Sequence, residues 1–73
     1  MGEVRTVLDE DLSDISLADE IACAKRELAM RERVYPGWVT GGRMKLQEAE
    51  REIRRMKAIL KRLLLEERKA RLL

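Results

Sequence analysis

"RVYPGWVTGGRM", residues 33–44, decides how this chain folds. It holds the only Pro, the only Trp, the only Tyr and three of the four Gly of a 73-residue sequence, and it separates two long, charged, helix-like stretches. If it continued as helix the chain would be a rod; if it turns, the flanking stretches come back together as a hairpin. Pro36 argues for the turn, because proline has no N–H to donate and pushes the residue before it out of the α region. Proline also suits the first position of a new helix, and Gly41 or Gly42 suits the position just past the end of one, so "PGWVTGG" also reads as a single helical turn. The expected corner spans residues 35–45. In it Tyr35 and Trp38 close the open end of a hairpin whose seams otherwise supply aliphatic side chains.

On the C-terminal side of the corner, residues 46–72 carry the clearest pattern in the chain. Leu46, Ala49, Ile53, Met56, Leu60 and Leu63 recur at alternating steps of three and four, a heptad-like stripe along one helix face. Ile59 and Leu64 widen the apolar arc to about 140°, more than a two-helix seam uses. On the N-terminal side a helix is expected over residues 16–34. Ser13 or Ser16 serves as its N-cap, with Asp14, Asp19 and Glu20 where the helix dipole favours negative charge. Leu17, Ile21, Ala24, Leu28 and Tyr35 fall close to one line on that helix. The predicted core is therefore Leu17, Ile21 and Leu28 against Leu46, Ile53, Met56, Leu60 and Leu63.

The expected fold is all-α: an antiparallel, coiled-coil-like two-helix hairpin over residues 16–73, preceded by an acidic arm, residues 1–15, that is mobile or ordered by a partner. Charge supports this layout. Residues 1–20 carry seven acids and one base, and residues 43–73 carry eleven bases and five acids, although the net charge is only +2. An antiparallel hairpin places Asp14, Asp19 and Glu20 near Arg62, Arg68, Lys69 or Arg71. Charged residues make up 41% of the chain and aromatics 3%, so little bulky material is present for a self-contained core. Chains this small bury only about 60% of their unfolded surface, and association is the usual remedy. The hairpin is accordingly expected to be completed by dimerisation into a four-helix bundle or a higher oligomer, or by docking on a protein partner.

The parts of an active site are missing. With no His, the common nucleophile pairs and the HExxH zinc pattern have no basis. Cys23 stands alone and is expected to be a small packing residue in a reducing, cytoplasmic setting. "GWVTGGRM" lacks the GK[ST] ending of a phosphate loop. Glu48, Glu50 and Glu52 alternate around the helix and read as a solvated face. No catalytic, cofactor-binding or metal-binding residue is expected, and no uninterrupted apolar run, Leu63 to Leu65 included, is long enough to cross a bilayer.

Two surfaces remain as candidates. The corner offers Tyr35, Trp38 and Arg43 to a protein partner. The second helix offers Arg51, Arg54, Arg55 and Arg62 on the arc opposite its stripe, spaced to follow a phosphate backbone, which makes nucleic acid the second class of partner. That face carries no aromatic residue on which bases stack, and pairs such as Glu50 with Arg54 and Glu67 with Arg71 fit an ordinary wet helix surface.

Residues 20–60 also resemble a group of short, mostly uncharacterised helical proteins encoded by bacteriophages and prophages. The shared pattern is carried by Glu20, Ile21, Arg26, Glu27, Leu28 and Arg31, then Val34, Tyr35, Pro36, Trp38, Val39, Gly42, Arg43 and Met44, and finally Glu52, Ile53, Met56 and Ile59, around a YPxWVxxGRM core. The pattern usually continues with Thr, a natural N-cap, where this chain has Lys45. The resemblance implies a cytoplasmic, non-catalytic accessory protein of phage type.

Overall fold

The computed structural model describes residues 2–72; Met1 and Leu73, the outer limits of the arm and of the hairpin as read from the sequence, lie outside them. Three helices follow in order: α1 (Gly2–Asp9), α2 (Leu17–Thr40) and α3 (Leu46–Leu72). The fold is all-helical, and α2 and α3 pack on one another as an antiparallel hairpin. Among the described residues α1 packs on neither. The result is a thin slab, 45 × 34 × 16 Å along its principal axes.

The arm that the sequence presents as irregular thus contains one short helix. Its Val7, Leu8 and Leu12 are exposed. A turn closed by the Ile15 N–H on the Leu12 carbonyl leads into α2. Ser16 is the N-cap. Its hydroxyl accepts the Asp19 N–H at 3.0 Å, and its own N–H donates to the Asp19 carboxylate at 3.0 Å. This reciprocal pair is a capping box with Asp rather than Glu at its third position.

Helix α2 does not stop at Val34. It continues through Pro36 to Thr40, so the corner narrows from the expected 35–45 to residues 41–45. A proline inside a helix forfeits one backbone hydrogen bond and crowds the preceding turn. Here the helix nevertheless resumes: the Thr40 hydroxyl donates to the Pro36 carbonyl at 3.0 Å and the Gly41 N–H to the Gly37 carbonyl at 2.9 Å. The glycines provide the stop. Gly42 takes a left-handed φ of 78°, its N–H donates to the Val39 carbonyl at 3.1 Å, and the Arg43 N–H donates to the Trp38 carbonyl at 2.8 Å. Those two bonds are the Schellman closure of a helix C-terminus.

The core is small. Ile21, Ala24, Tyr35, Ala49 and Met56 are the buried apolar residues. Of the expected core, Ile21 and Met56 are buried and Leu17, Leu28, Ile53, Leu60 and Leu63 are half-buried. Leu46 departs from expectation, being 60% exposed. It is the first residue of α3, and helical side chains lean toward the N-terminus, so Leu46 points past the end of the helix instead of into the seam.

The ion pairs also differ from the expected layout. Among the described residues none joins Asp14, Asp19 or Glu20 to Arg62, Arg68, Lys69 or Arg71. The pairs that cross the hairpin are central, Arg31 to Glu52 at 3.8 Å and Lys57 to Glu32 at 4.0 Å. Arg31 forms a clasp: its Nη1 donates to the Glu52 backbone carbonyl at 2.7 Å while its Nε donates to Glu27 at 3.0 Å. At the end of the hairpin Asp19 is engaged by Ser16, and Arg71 pairs within its own helix with Glu67 at 3.5 Å.

Candidate interaction surfaces

The corner separates its two aromatic residues. Tyr35 lies on the seam line of α2 and is buried, so it packs the hairpin and is not a contact surface for a partner. Trp38, three residues on, stacks against Tyr35 with ring centroids 5.6 Å apart and planes inclined by 27°, yet remains 39% exposed. One face of the indole is therefore structural and the other is open. Arg43, just past the helix end, is exposed and shares a shallow groove with Lys45, Glu48 and Arg51 at the mouth of the corner.

On α3 the structure brings Arg51, Arg54 and Arg55 together along a second shallow groove with Gln47 and Glu50. Arg55 is held by Glu52 at 2.7 Å; Arg51 and Arg54 carry no ion pair among the described residues, and the expected Glu50 to Arg54 pair is not formed. Arg62 stands apart from this group, beside Leu65, Glu66 and Lys69 near the end of the helix. The basic face is thus a cluster of three arginines plus an outlier, without an aromatic residue among them.

The apolar arc of α3 is wider than α2 covers, as its width of side chains implies. Ile59 is 52% exposed, Leu64 38% and Leu65 47%. These residues lie along the two flanks of the hairpin. One flank holds a groove lined by Leu28, Leu60, Leu64 and Leu65, and the other a groove lined by Ile15, Cys23, Ile59 and Leu63. Cys23, expected as a packing residue, is exposed within the second groove.

Two aspects of these surfaces escape a reading by pattern. The Arg31 clasp is visible in the sequence only as an i,i+4 pair with Glu27; its reach to Glu52 depends on the register between helices. The paired flank grooves likewise arise from the register, although the over-wide arc of Ile59 and Leu64 is their signal.

The fold perturbs the ionisation of Asp11 and Asp19. The Ser13 N–H on Asp11 and the Ser16 N–H on Asp19 stabilise each carboxylate and hold its pKa below the ordinary 3.8. Both belong to turn and cap geometry, and Asp19 also lines the groove of Ile15, Cys23, Ile59 and Leu63. No group of three or more potential metal ligands occurs among the described residues, and no helix is long and apolar enough to cross a membrane. No protein-family model matches the chain, and no curated protein or solved structure is significantly similar to it.

Proposed function

We infer that the chain is a small, non-enzymatic interaction protein that works by binding, and thereby blocking or adapting, another protein in the cytoplasm, as the phage-type proteins it resembles are expected to do. The observation that carries this reading is the apolar surface on both flanks of the hairpin, where Ile59, Leu64 and Leu65 remain open although the chain has so few large side chains to spend. Apolar surface that a small domain leaves contiguous is the usual mark of a binding site. The open face of Trp38 adds an aromatic anchor of the kind that dominates interface energetics. Self-association through the same flanks belongs to this reading.

The second reading is a nucleic-acid accessory factor, favoured by the convergence of Arg51, Arg54 and Arg55 in one groove. The two readings separate by salt and by what is crosslinked. Full-length protein carrying a photoreactive side chain at Leu65 in producing cells is expected to crosslink to protein, whether another copy of the chain or a distinct partner, and the yield should survive Arg54→Glu with Arg55→Glu. Crosslinking to nucleic acid alone, together with binding in vitro that collapses by orders of magnitude between about 50 and 200 mM salt and is lost in the same variant, would replace the first reading with the second.

A further inference from the structure

The two flanks of the hairpin have opposite charge. At about 100° per residue, Glu20, Cys23 and Glu27 lie to one side of the α2 seam line and Ile59 and Leu63 to the matching side of the α3 stripe, whereas Lys57, Lys61, Leu64 and Arg68 lie to the other side. On the first flank, the charged residues lining the apolar groove are all acidic: Asp19, Glu20 and Glu27. On the second flank they are all basic: Lys57, Lys61 and Arg68. Part of this charge is satisfied within the chain. Asp19 is taken by its cap, Glu27 by Arg31, and Lys57 lies 4.0 Å from Glu32. Glu20, Lys61 and Arg68 have no ion pair among the described residues.

We propose that the occupant of each groove is a second copy of this chain, the acidic flank of one hairpin seating against the basic flank of the next. This rests on the reading of the flanks as protein-binding surfaces and names what covers them. Charge selects the pairing. A two-fold contact of one flank with itself sets one acidic groove against another, or one basic groove against another, across an apolar floor, and like charges across an interface count against it. The heterologous contact sets Glu20 opposite Lys61 and Arg68 and buries Ile59 and Leu63 against Leu64 and Leu65. Because the grooves lie on opposite flanks of the hairpin, a neighbour docked on one flank leaves the other open. Each hairpin takes two neighbours, so the assembly grows past a pair into a ring or a linear stack. Each contact within it is a four-helix layer.

The test uses the full chain and two substitutions at exposed sites, Ile59→Asp on the acidic flank and Leu64→Asp on the basic flank, with helicity checked by circular dichroism. Light scattering and sedimentation of the wild type should give a mass above two chains that rises with concentration and falls with salt. Each variant alone should be monomeric. An equimolar mixture should form a one-to-one pair and nothing larger, because one intact acidic flank then meets one intact basic flank. If the Asp variants lose helicity, Glu20→Lys and Lys61→Glu provide the same comparison on residues without intrachain ion pairs: each alone should weaken association by about tenfold or more, and both in one chain should restore it. A wild type that stays monomeric at every concentration overturns the proposal, and crosslinks from its flanks to another protein would leave the functional reading standing. A variant that still dimerises alone indicates a two-fold contact and also overturns it. So does a monomer whose amides near Val7 to Leu12 are protected from exchange unless Leu64 is changed, since the chain's own arm is then the occupant.

Discussion

At the scale of single residues, the two long helices begin in contrasting ways. Helix α2 has a complete capping box between Ser16 and Asp19, whereas α3 has Lys45 at the corresponding place, with no side-chain oxygen to receive a helix N–H and a positive charge at the positive end of the dipole. Lys45→Ser is therefore expected to raise stability by about 1 kcal/mol in urea denaturation; a neutral result would mean that the corner backbone cannot adopt cap geometry. Ser16→Ala is expected to lower stability by a similar amount, about 1 kcal/mol. The cap also has a pH signature. The Asp19 carboxylate is held below its ordinary 3.8 by the Ser16 N–H, so its contribution is fully present above that value and is lost as the pH falls through the lower folded value. Fraying at Leu17 to Ile21, followed by amide chemical shifts, should set in only in that acidic range. Titration of Asp19 at or above the ordinary value would contradict the capping box. The sequence leaves the choice between Ser13 and Ser16 open, since both precede acids at suitable spacing; the backbone hydrogen bonds decide it. Trp38 is a harder case, because its exposure depends on how far α2 runs beyond Tyr35.

At the scale of elements, the sequence announces the hairpin but misplaces its bend by about two helical turns. Pro36 is the strongest local breaker in the chain, and a reading from propensity ends the helix there. Burial of Tyr35 on the seam, the stacked Trp38 and the Schellman closure at Gly42 together hold α2 helical for six residues more. The proline is then an internal cost. Pro36→Ala restores a backbone donor and is expected to stabilise the hairpin by about 1 to 3 kcal/mol, read from the denaturation midpoint. Loss of stability instead would show that the corner depends on the proline's backbone geometry. Between helices, the Arg31 clasp is the specific contact: its side chain is 19% exposed and reaches a carbonyl and two carboxylates. Arg31→Ala should cost about 1 to 3 kcal/mol, because it strips hydrogen bonds to a charged group across the seam. Arg55→Ala, at a side chain 64% exposed, should cost well under 1 kcal/mol. Equal effects would remove the clasp from its central place. The stripe of α3 was legible because a heptad spacing needs no tertiary information, whereas the clasp needs the register.

For the whole molecule, the decisive quantity is how little the hairpin buries. Among the described residues five apolar side chains are buried, two of them alanines, and Ile59, Leu64 and Leu65 of α3 lie open on the flanks. The expected head-to-tail neutralisation of acidic start and basic end does not occur as ion pairs; the charges are sorted instead onto opposite flanks, because Glu20 and Glu27 step around one side of α2 while Lys57, Lys61 and Arg68 step around the other side of α3. That sorting was present in the sequence and invisible without the register, since either flank alone is an ordinary amphipathic edge. Its thermodynamic consequence is coupling between folding and association. If the flanks are covered by other copies, anything that binds the folded hairpin and not the unfolded chain stabilises it by mass action. Each tenfold rise in chain concentration, above the dissociation constant, should then add up to about 1.4 kcal/mol to the apparent unfolding free energy. The urea midpoint should climb with concentration for the wild type and stay flat for Ile59→Asp, and added salt should reduce the climb by screening Glu20 from Lys61 and Arg68. A wild-type midpoint independent of concentration across the range where it is folded would mean that α2 and α3 alone suffice, and that the open leucines of α3 contribute nothing to holding the fold.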